Sequence, residues 1–63
     1  MKFLKTLEGY VSTAEIESFG LEKKTGVYVV TVSTYGTEQD VEEFDTENDA
    51  WEYLDALIEK LED

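Results

Sequence analysis

The sequence contains no cysteine, histidine, proline or arginine, and its five basic residues are all lysines. Without cysteine, the chain can form no disulfide, thiolate nucleophile or cysteine-based zinc site. Without histidine it lacks the commonest general base, so Ser12, Ser18 and Ser33 have no ordinary partner to activate them as nucleophiles. A chain of this size also has little room for a substrate cleft. We therefore expect no enzymatic activity, no cofactor and no metal site.

Long hydrophobic segments are absent as well. No apolar run approaches the roughly 18 residues of a membrane span, and the start MKFLKTLEGY lacks the long apolar segment of a signal peptide. The length of 63 residues predicts one domain over residues 1–63. Such a chain buries only about 60% of its surface on folding, so its core is small. We expect a complete, soluble, cytoplasmic chain that does not contact a membrane.

Positive charge is scarce in one half of the chain only. Residues 1–30 carry four lysines and four glutamates, whereas residues 31–63 carry twelve acidic residues and the single Lys60, which gives the whole net charge of −11. A magnitude of about 2–8 suffices to keep a small domain in solution. Additional charge of one sign destabilises the compact state by self-repulsion. Binding to a basic partner is one way to offset that cost.

The N-terminal third predicts short strands. Residues 2–7 read as a first strand, Glu8-Gly9 as a turn, and Tyr10-Val11 as resumed extended structure. The next segment, STAEIESFG, permits two interpretations. Ser12 with Glu15 matches a capping box that would start a short helix ending at Gly20. The favoured alternative is one helical turn at Thr13–Glu15 followed by a strand over residues 16–22, because the short helix would be unstable.

The middle of the chain gives the clearest strand pattern. Residues 23–26 predict a hairpin loop that ends in Gly26, because glycine tolerates the left-handed conformation such a loop needs. Val27–Thr34 (VYVVTVST) is rich in β-branched residues and predicts the central strand. Tyr35-Gly36 predicts a tight turn, and Thr37–Phe44 a last strand dense in acidic residues.

The C-terminal part predicts one long helix over residues 46–62. Thr46 with Asp49 matches a capping box at its start. Apolar residues then recur at spacings of three and four, which predicts one buried stripe that includes Trp51. The stripe consists of Ala50, Trp51, Leu54, Leu57, Ile58 and Leu61. The fold class is α+β: an antiparallel β-meander of three to four strands, covered on one face by the C-terminal α-helix.

The carboxylates of the last strand and the helix are expected to form ordered rows. If Val41 faces the helix, alternation turns Glu38, Asp40 and Glu42 to solvent in one row, with no basic residue to pair with them. A second row, which includes Glu62, follows the helix face opposite the apolar stripe. An acidic corner joins the two rows. The predicted partner-binding residues are Glu38, Asp40, Glu42, Asp45, Glu47, Asp49, Glu52, Asp55 and Glu59.

Two functions are compatible with such rows. Nucleic acid is also a regular array of anions, so carboxylates on rigid elements could compete for the basic groove of a DNA-binding protein. The other interpretation is an acidic surface that is only solvated, which is the commoner role of charged helix faces. An EF-hand calcium loop is excluded, because Ala50 and Ala56 stand where such a loop needs glycine and glutamate. Only weak, diffuse binding of Mg²⁺ or Ca²⁺ to the acidic surface is expected. Direct binding to nucleic acid is not expected at this net charge.

The sheet offers a separate candidate surface. Tyr28, Val30 and Val32 are expected on one face of the central strand, and Val27 with Val29 on the other. One helix covers only one face, so the other is expected to expose an apolar patch of the kind that binds partners. A homodimer through this face is the alternative to a separate basic partner.

Two resemblances bear on these expectations. The segment LEGYVSTAEIESF, residues 7–19, resembles the opening of small bacterial proteins of the flagellar FlbD type, which implies the strand order here and nothing more. The size and charge of the chain are similar to those of phage-encoded host-takeover proteins, including DNA mimics. This resemblance implies a non-enzymatic inhibitor of a basic, DNA-binding host protein. The alternative is a small structural or regulatory module.

Overall fold

The computed structural model describes residues 2–61 and confirms the α+β architecture. A two-stranded hairpin comes first, followed by a single 3₁₀ turn at Thr13–Glu15 and a three-stranded antiparallel sheet in the order β3-β4-β5. One C-terminal helix packs on this sheet. The elements are β1 (Phe3–Thr6), β2 (Gly9–Ser12), β3 (Ile16–Lys24), β4 (Val27–Thr34), β5 (Thr37–Phe44) and α1 (Glu47–Leu61).

The first hairpin closes one residue earlier than predicted. Its turn is Leu7-Glu8, and Gly9 already pairs with Thr6 as the first residue of β2. The buried Thr6 hydroxyl donates to the Gly9 carbonyl oxygen at 3.0 Å and accepts from the Glu8 N–H at 3.2 Å. The turn is therefore fixed by a threonine hydroxyl that satisfies both neighbouring backbone groups.

The three-stranded sheet follows the predicted pattern closely. The turn at Thr13–Glu15 with a following strand is confirmed, so the short-helix interpretation of this segment is wrong. β4 and β5 have the predicted bounds. The loop predicted over residues 23–26 shortens to Thr25-Gly26, because Lys23 and Lys24 continue β3 and pair with Tyr28 and Val27. Both hairpins of the sheet thus close through two-residue turns.

Helix α1 starts where its cap predicts. The Asp49 N–H donates to Thr46 Oγ1 at 3.2 Å, which satisfies one of the free donors of the first turn. The predicted end at residue 62 lies outside the described residues. No helix within residues 2–61 is both long and apolar enough to span a membrane. The first hairpin, the three-stranded sheet and the helix all contribute to the core, which consists of Leu4, Val11, Val30, Val32, Val41, Ala50, Leu54 and Leu57.

The prediction that Trp51 is buried is wrong, since its side chain is 47% exposed. Helical residues turn by about 100° each, so Trp51 lies about 90° from the centre of the stripe formed by Ala50, Leu54 and Leu57. Tyr53 occupies the opposite flank and packs against Phe44 of β5, with 5.2 Å between the ring centroids. The Tyr53 flank therefore lies over β5, and the Trp51 flank is turned toward β3.

The expected apolar patch on the other sheet face is also absent. Val29 is fully buried and Thr31 is 2% exposed, although α1 covers only the opposite face. Val29 lies between two long charged neighbours, Glu22 on β3 and Glu43 on β5. The β-branched side chains of the central strand are shorter than their charged neighbours on the two flanking strands. The longer side chains therefore shield the apolar atoms of this face from solvent, without a second layer of secondary structure.

Candidate functional site

An irregularity in β5 divides the predicted strand row. Val30 pairs with Glu42 but Thr31 pairs with Asp40, so Val41 is an extra residue at a β-bulge. Residues directly opposite each other share a face of the sheet. Asp40 therefore lies on the outer face with Thr31, whereas Glu42 lies on the helix side with Val30. The prediction of one row of Glu38, Asp40 and Glu42 is wrong at Glu42.

The actual outer row is Glu38, Asp40 and Glu43, which pair with Ser33, Thr31 and Val29. A signal for this change was present in the sequence. The apolar residues Val41 and Phe44 both belong to the helix side of the sheet, yet they are three positions apart. Strict alternation cannot place two residues at an odd spacing on one face, so this spacing predicts an irregularity between them.

A lysine bridge crosses this outer face. Lys24 Nζ lies 2.9 Å from Asp40 Oδ2 and 4.0 Å from Glu22 Oε2. Lys24 belongs to β3 and Asp40 to β5, so the ion pair spans the central strand close to Val29. Hydrogen bonding to Asp40, reinforced by its charge, raises the pKa of the Lys24 ammonium. The expectation that no basic residue pairs with the carboxylates of this strand is thus wrong for Asp40. We call this surface, Glu22, Lys24, Glu38, Asp40 and Glu43, the bridged face.

The helix carboxylates have a different environment. Glu52, Asp55 and Glu59, here called the helix row, are all exposed on the side of α1 opposite its buried residues. The Glu52 side chain accepts a hydrogen bond from Asn48 Nδ2 at 3.3 Å. Within residues 2–61 every ion pair involves Lys24, so the helix row has no basic partner in this part of the chain. The fourth predicted member, Glu62, lies outside the described residues.

The acidic corner connects to the helix side. Asp45, Glu47 and Asp49 are exposed around the start of α1, where the helix dipole favours negative charge. Glu42 approaches this side as well. Burial, together with the nearby charge of Glu42, raises the pKa of the Tyr53 hydroxyl. Glu42 is therefore close to α1 and adds to the helix side of the acidic surface.

The two rows lie on opposite sides of a thin molecule. The bridged face looks away from the helix, and the helix row looks away from the sheet. The Cα positions extend over only 31 × 23 × 17 Å. The predicted site residues are therefore brought together as two faces joined at the corner, and a flat partner surface can contact one of them at a time.

One groove opens between β1 and α1. It has a volume of about 270 Å³ and contains two of the five lysines, Lys5 and Lys60. Its remaining lining consists of Phe3, Leu4, Tyr53, Ala56 and Leu57. In the part of the chain that the structure describes, no three histidine, cysteine or carboxylate side chains converge as metal ligands would.

Comparison of the chain with protein-family models, with curated proteins and with solved structures gives no match.

Proposed function

We propose that the protein is a non-enzymatic interaction protein whose acidic helix side binds a basic, DNA-binding protein. The observation that carries this proposal is the difference between the two acidic faces. The bridged face offsets part of its charge with Lys24, whereas the helix row is exposed and has no basic partner among residues 2–61. A partner that supplies lysines or arginines would relieve this repulsion on binding.

The spacing of the helix row supports a DNA-mimic inhibitor, of the kind that phages and mobile elements encode. Its neighbouring carboxylates are three and four residues apart, which is roughly 4.5–6 Å along the axis of an α-helix. They stand on a rigid element, and the corner residues Asp45, Glu47 and Asp49 extend the row past its start. Such an array resembles the closely spaced charges along a nucleic acid, so it could occupy a basic groove in its place.

The test uses two variants that remove the same number of charges from opposite faces. Glu52→Gln/Asp55→Asn/Glu59→Gln neutralises the helix row, and Glu38→Gln/Asp40→Asn/Glu43→Gln neutralises the outer sheet row as its matched control. Tagged proteins capture partners from a bacterial lysate at low and high salt, and captured proteins are then assayed for competition with duplex DNA. We expect the helix-row variant alone to lose a salt-sensitive, DNA-binding partner, mainly through slower association. Equal capture by both variants and the wild type contradicts the proposal.

The alternative function is a small structural or regulatory module whose charge serves only to keep it apart from other proteins. Its predicted contact surface, the sheet face around Val27 and Val29, has lost its support because Val29 is fully buried. Capture of a partner that resists high salt and survives neutralisation of the helix row would favour this module.

A further inference from the structure

The groove between β1 and α1 collects positive charge in an otherwise acidic molecule. Lys5 and Lys60 both line it, and among the residues that the structure describes its lining includes no carboxylate. Both lysines are exposed, and every ion pair within residues 2–61 involves Lys24 instead. In a chain of net charge −11, two lysines without carboxylate partners on one small surface attract an anion to that place.

One face of α1 forms a wall of this groove. Its members are three and four positions apart, so they are neighbours on the helix surface. They are Tyr53, Ala56, Leu57 and Lys60. Leu57 is buried and supplies an apolar floor, and the Tyr53 ring is held by Phe44, with 5.2 Å between the ring centroids. Ala56 is exposed, and its small side chain leaves the groove open.

Strand β1 forms the other wall and turns its unpaired edge toward it. The Lys2 carbonyl oxygen accepts a hydrogen bond from the Thr13 N–H at 3.0 Å, so every second residue from Lys2 bonds toward β2. The peptide groups of Phe3 and Lys5 therefore point to the other side, where no strand within residues 2–61 pairs with β1. The Lys5 N–H thus adds a neutral donor beside the two ammonium groups.

We propose that this groove binds a small amphipathic anion. Lys5 and Lys60 hold its carboxylate or phosphate head, and its short apolar tail lies on Leu57 between the rings of Phe3 and Tyr53. Sites for small molecules are concave and mostly apolar, with a few polar groups that fix the orientation of the ligand. The volume of about 270 Å³ lies just below the 300–1,000 Å³ of sites for drug-sized ligands, so the ligand is small.

The distribution of charge also selects this class of ligand. A cationic ligand would place its charge beside two ammonium groups, which repel it. A nucleic acid or an acidic protein would extend past the groove to the helix row, whose exposed carboxylates lie on the same helix. Only an anion short enough to remain between the two lysines gains their attraction without that repulsion.

The first experiment titrates the ¹⁵N-labelled protein with octanoate and with octyl phosphate, followed by amide chemical shifts. We expect saturable binding of at least one probe, with the shifts centred on Lys5, Ala56 and Lys60, and the tighter probe identifies the head. Octan-1-ol lacks the charge and should bind about tenfold more weakly or less. Acetate lacks the tail and should not saturate. Octylammonium should leave these three amides unshifted.

Variants then separate the charge of the groove from its shape. Lys5→Gln and Lys60→Gln should each weaken binding of the tighter probe about threefold, and the double variant about tenfold. Lys23→Gln removes the same charge from β3, outside the groove, and should have little effect. Ala56→Leu fills the groove without a change of charge and should abolish binding. Ala14→Leu makes the same change at an exposed residue of the 3₁₀ turn and should not.

Circular dichroism of each variant verifies its fold, and the lysine variants carry the test if Ala56→Leu does not fold. The proposal is overturned if neither anionic probe saturates at tens of millimolar, or if octan-1-ol binds as tightly as the anions. Undiminished binding to Lys5→Gln/Lys60→Gln overturns it too. None of these results bears on capture of a basic partner by the helix row, so the two proposals can fail separately.

Discussion

The two acidic faces of this protein carry similar carboxylate side chains but differ in how far a lysine compensates that charge. On the bridged face, hydrogen-bonded strands bring Lys24 of β3 to Asp40 of β5, sixteen positions along the chain. On the helix, Lys60 is the only lysine, and the residues three and four positions before it are Leu57 and Ala56. No helical carboxylate is therefore placed to pair with it at the favourable spacing. Charge compensation here depends on which elements the fold brings together, not on composition alone.

The largest expected effect comes from the core beneath the bridged face. Val29→Ala removes two fully buried methyl groups and should lower the free energy of unfolding by about 2 kcal/mol or more. Trp51→Ala, on the half-exposed helix flank, should cost about 1 kcal/mol, far below the 3–5 kcal/mol typical of a buried tryptophan. Urea denaturation of both variants at micromolar concentration checks the order. A larger loss for Trp51→Ala would mean that the helix flank is the better buried region.

The response to salt is the next effect in size. The Debye length shortens to about 8 Å at 0.15 M, so added salt screens repulsion among exposed carboxylates. We expect the melting temperature to rise as NaCl increases from about 10 to 300 mM, and to rise less in Glu52→Gln/Asp55→Asn/Glu59→Gln. Thermal unfolding followed by circular dichroism measures both curves. A flat curve for the wild type would show that the carboxylates are already compensated.

Neutralising a single carboxylate should shift the melting temperature in opposite directions on the two faces. Asp55→Asn removes an exposed charge without an ion-pair partner among residues 2–61, so it should raise the melting temperature slightly. Asp40→Asn removes the carboxylate that holds Lys24, so it should lower the melting temperature and return the pKa of Lys24 toward its ordinary value. Differential scanning calorimetry at low salt compares the two shifts. Shifts of the same sign for both variants would remove the distinction between the faces.

The smallest expected effect concerns Tyr53. Its raised pKa means that the folded chain holds the phenolic proton more tightly than the unfolded chain does. The associated stability is present below the ordinary pKa of 10.0 and is lost as the pH rises through the higher folded value. Glu42→Gln should lower the pKa of Tyr53, while burial keeps it above the ordinary value. Ultraviolet titration of tyrosinate, with Tyr53→Phe to assign the transition, makes the measurement.

Local signals in the sequence were sufficient for most of the fold. The β-branched run of β4, the two-residue turns and the Thr46 cap each act over a few residues, so they mark the element bounds without tertiary information. The α+β class follows from the order of those elements. Thr6 shows the limit of this reasoning, because its hydroxyl bonds to Gly9 and Glu8 around a turn that lies one residue earlier than turn preferences alone indicate.

The candidate site was harder to predict because it depends on contacts between strands. One extra residue at Val41 transfers Glu42 to the helix side and brings Glu43 into the outer row in its place. The Lys24–Asp40 ion pair requires the register of two hairpins at once. The predicted apolar stripe also treated Trp51 and Ile58 as equally buried, although small differences in angle around the helix axis decide which side chain is better covered.

The exposed Trp51 has a practical consequence, because it is the only tryptophan in the chain. Indole emission shifts to shorter wavelength when its surroundings become less polar, so this single indole marks the flank of α1 nearest β3. The unlabelled protein can therefore report on that flank by fluorescence. A blue shift on concentration would mark contact there, whereas capture of a basic partner by the helix row alone should leave the emission wavelength nearly unchanged.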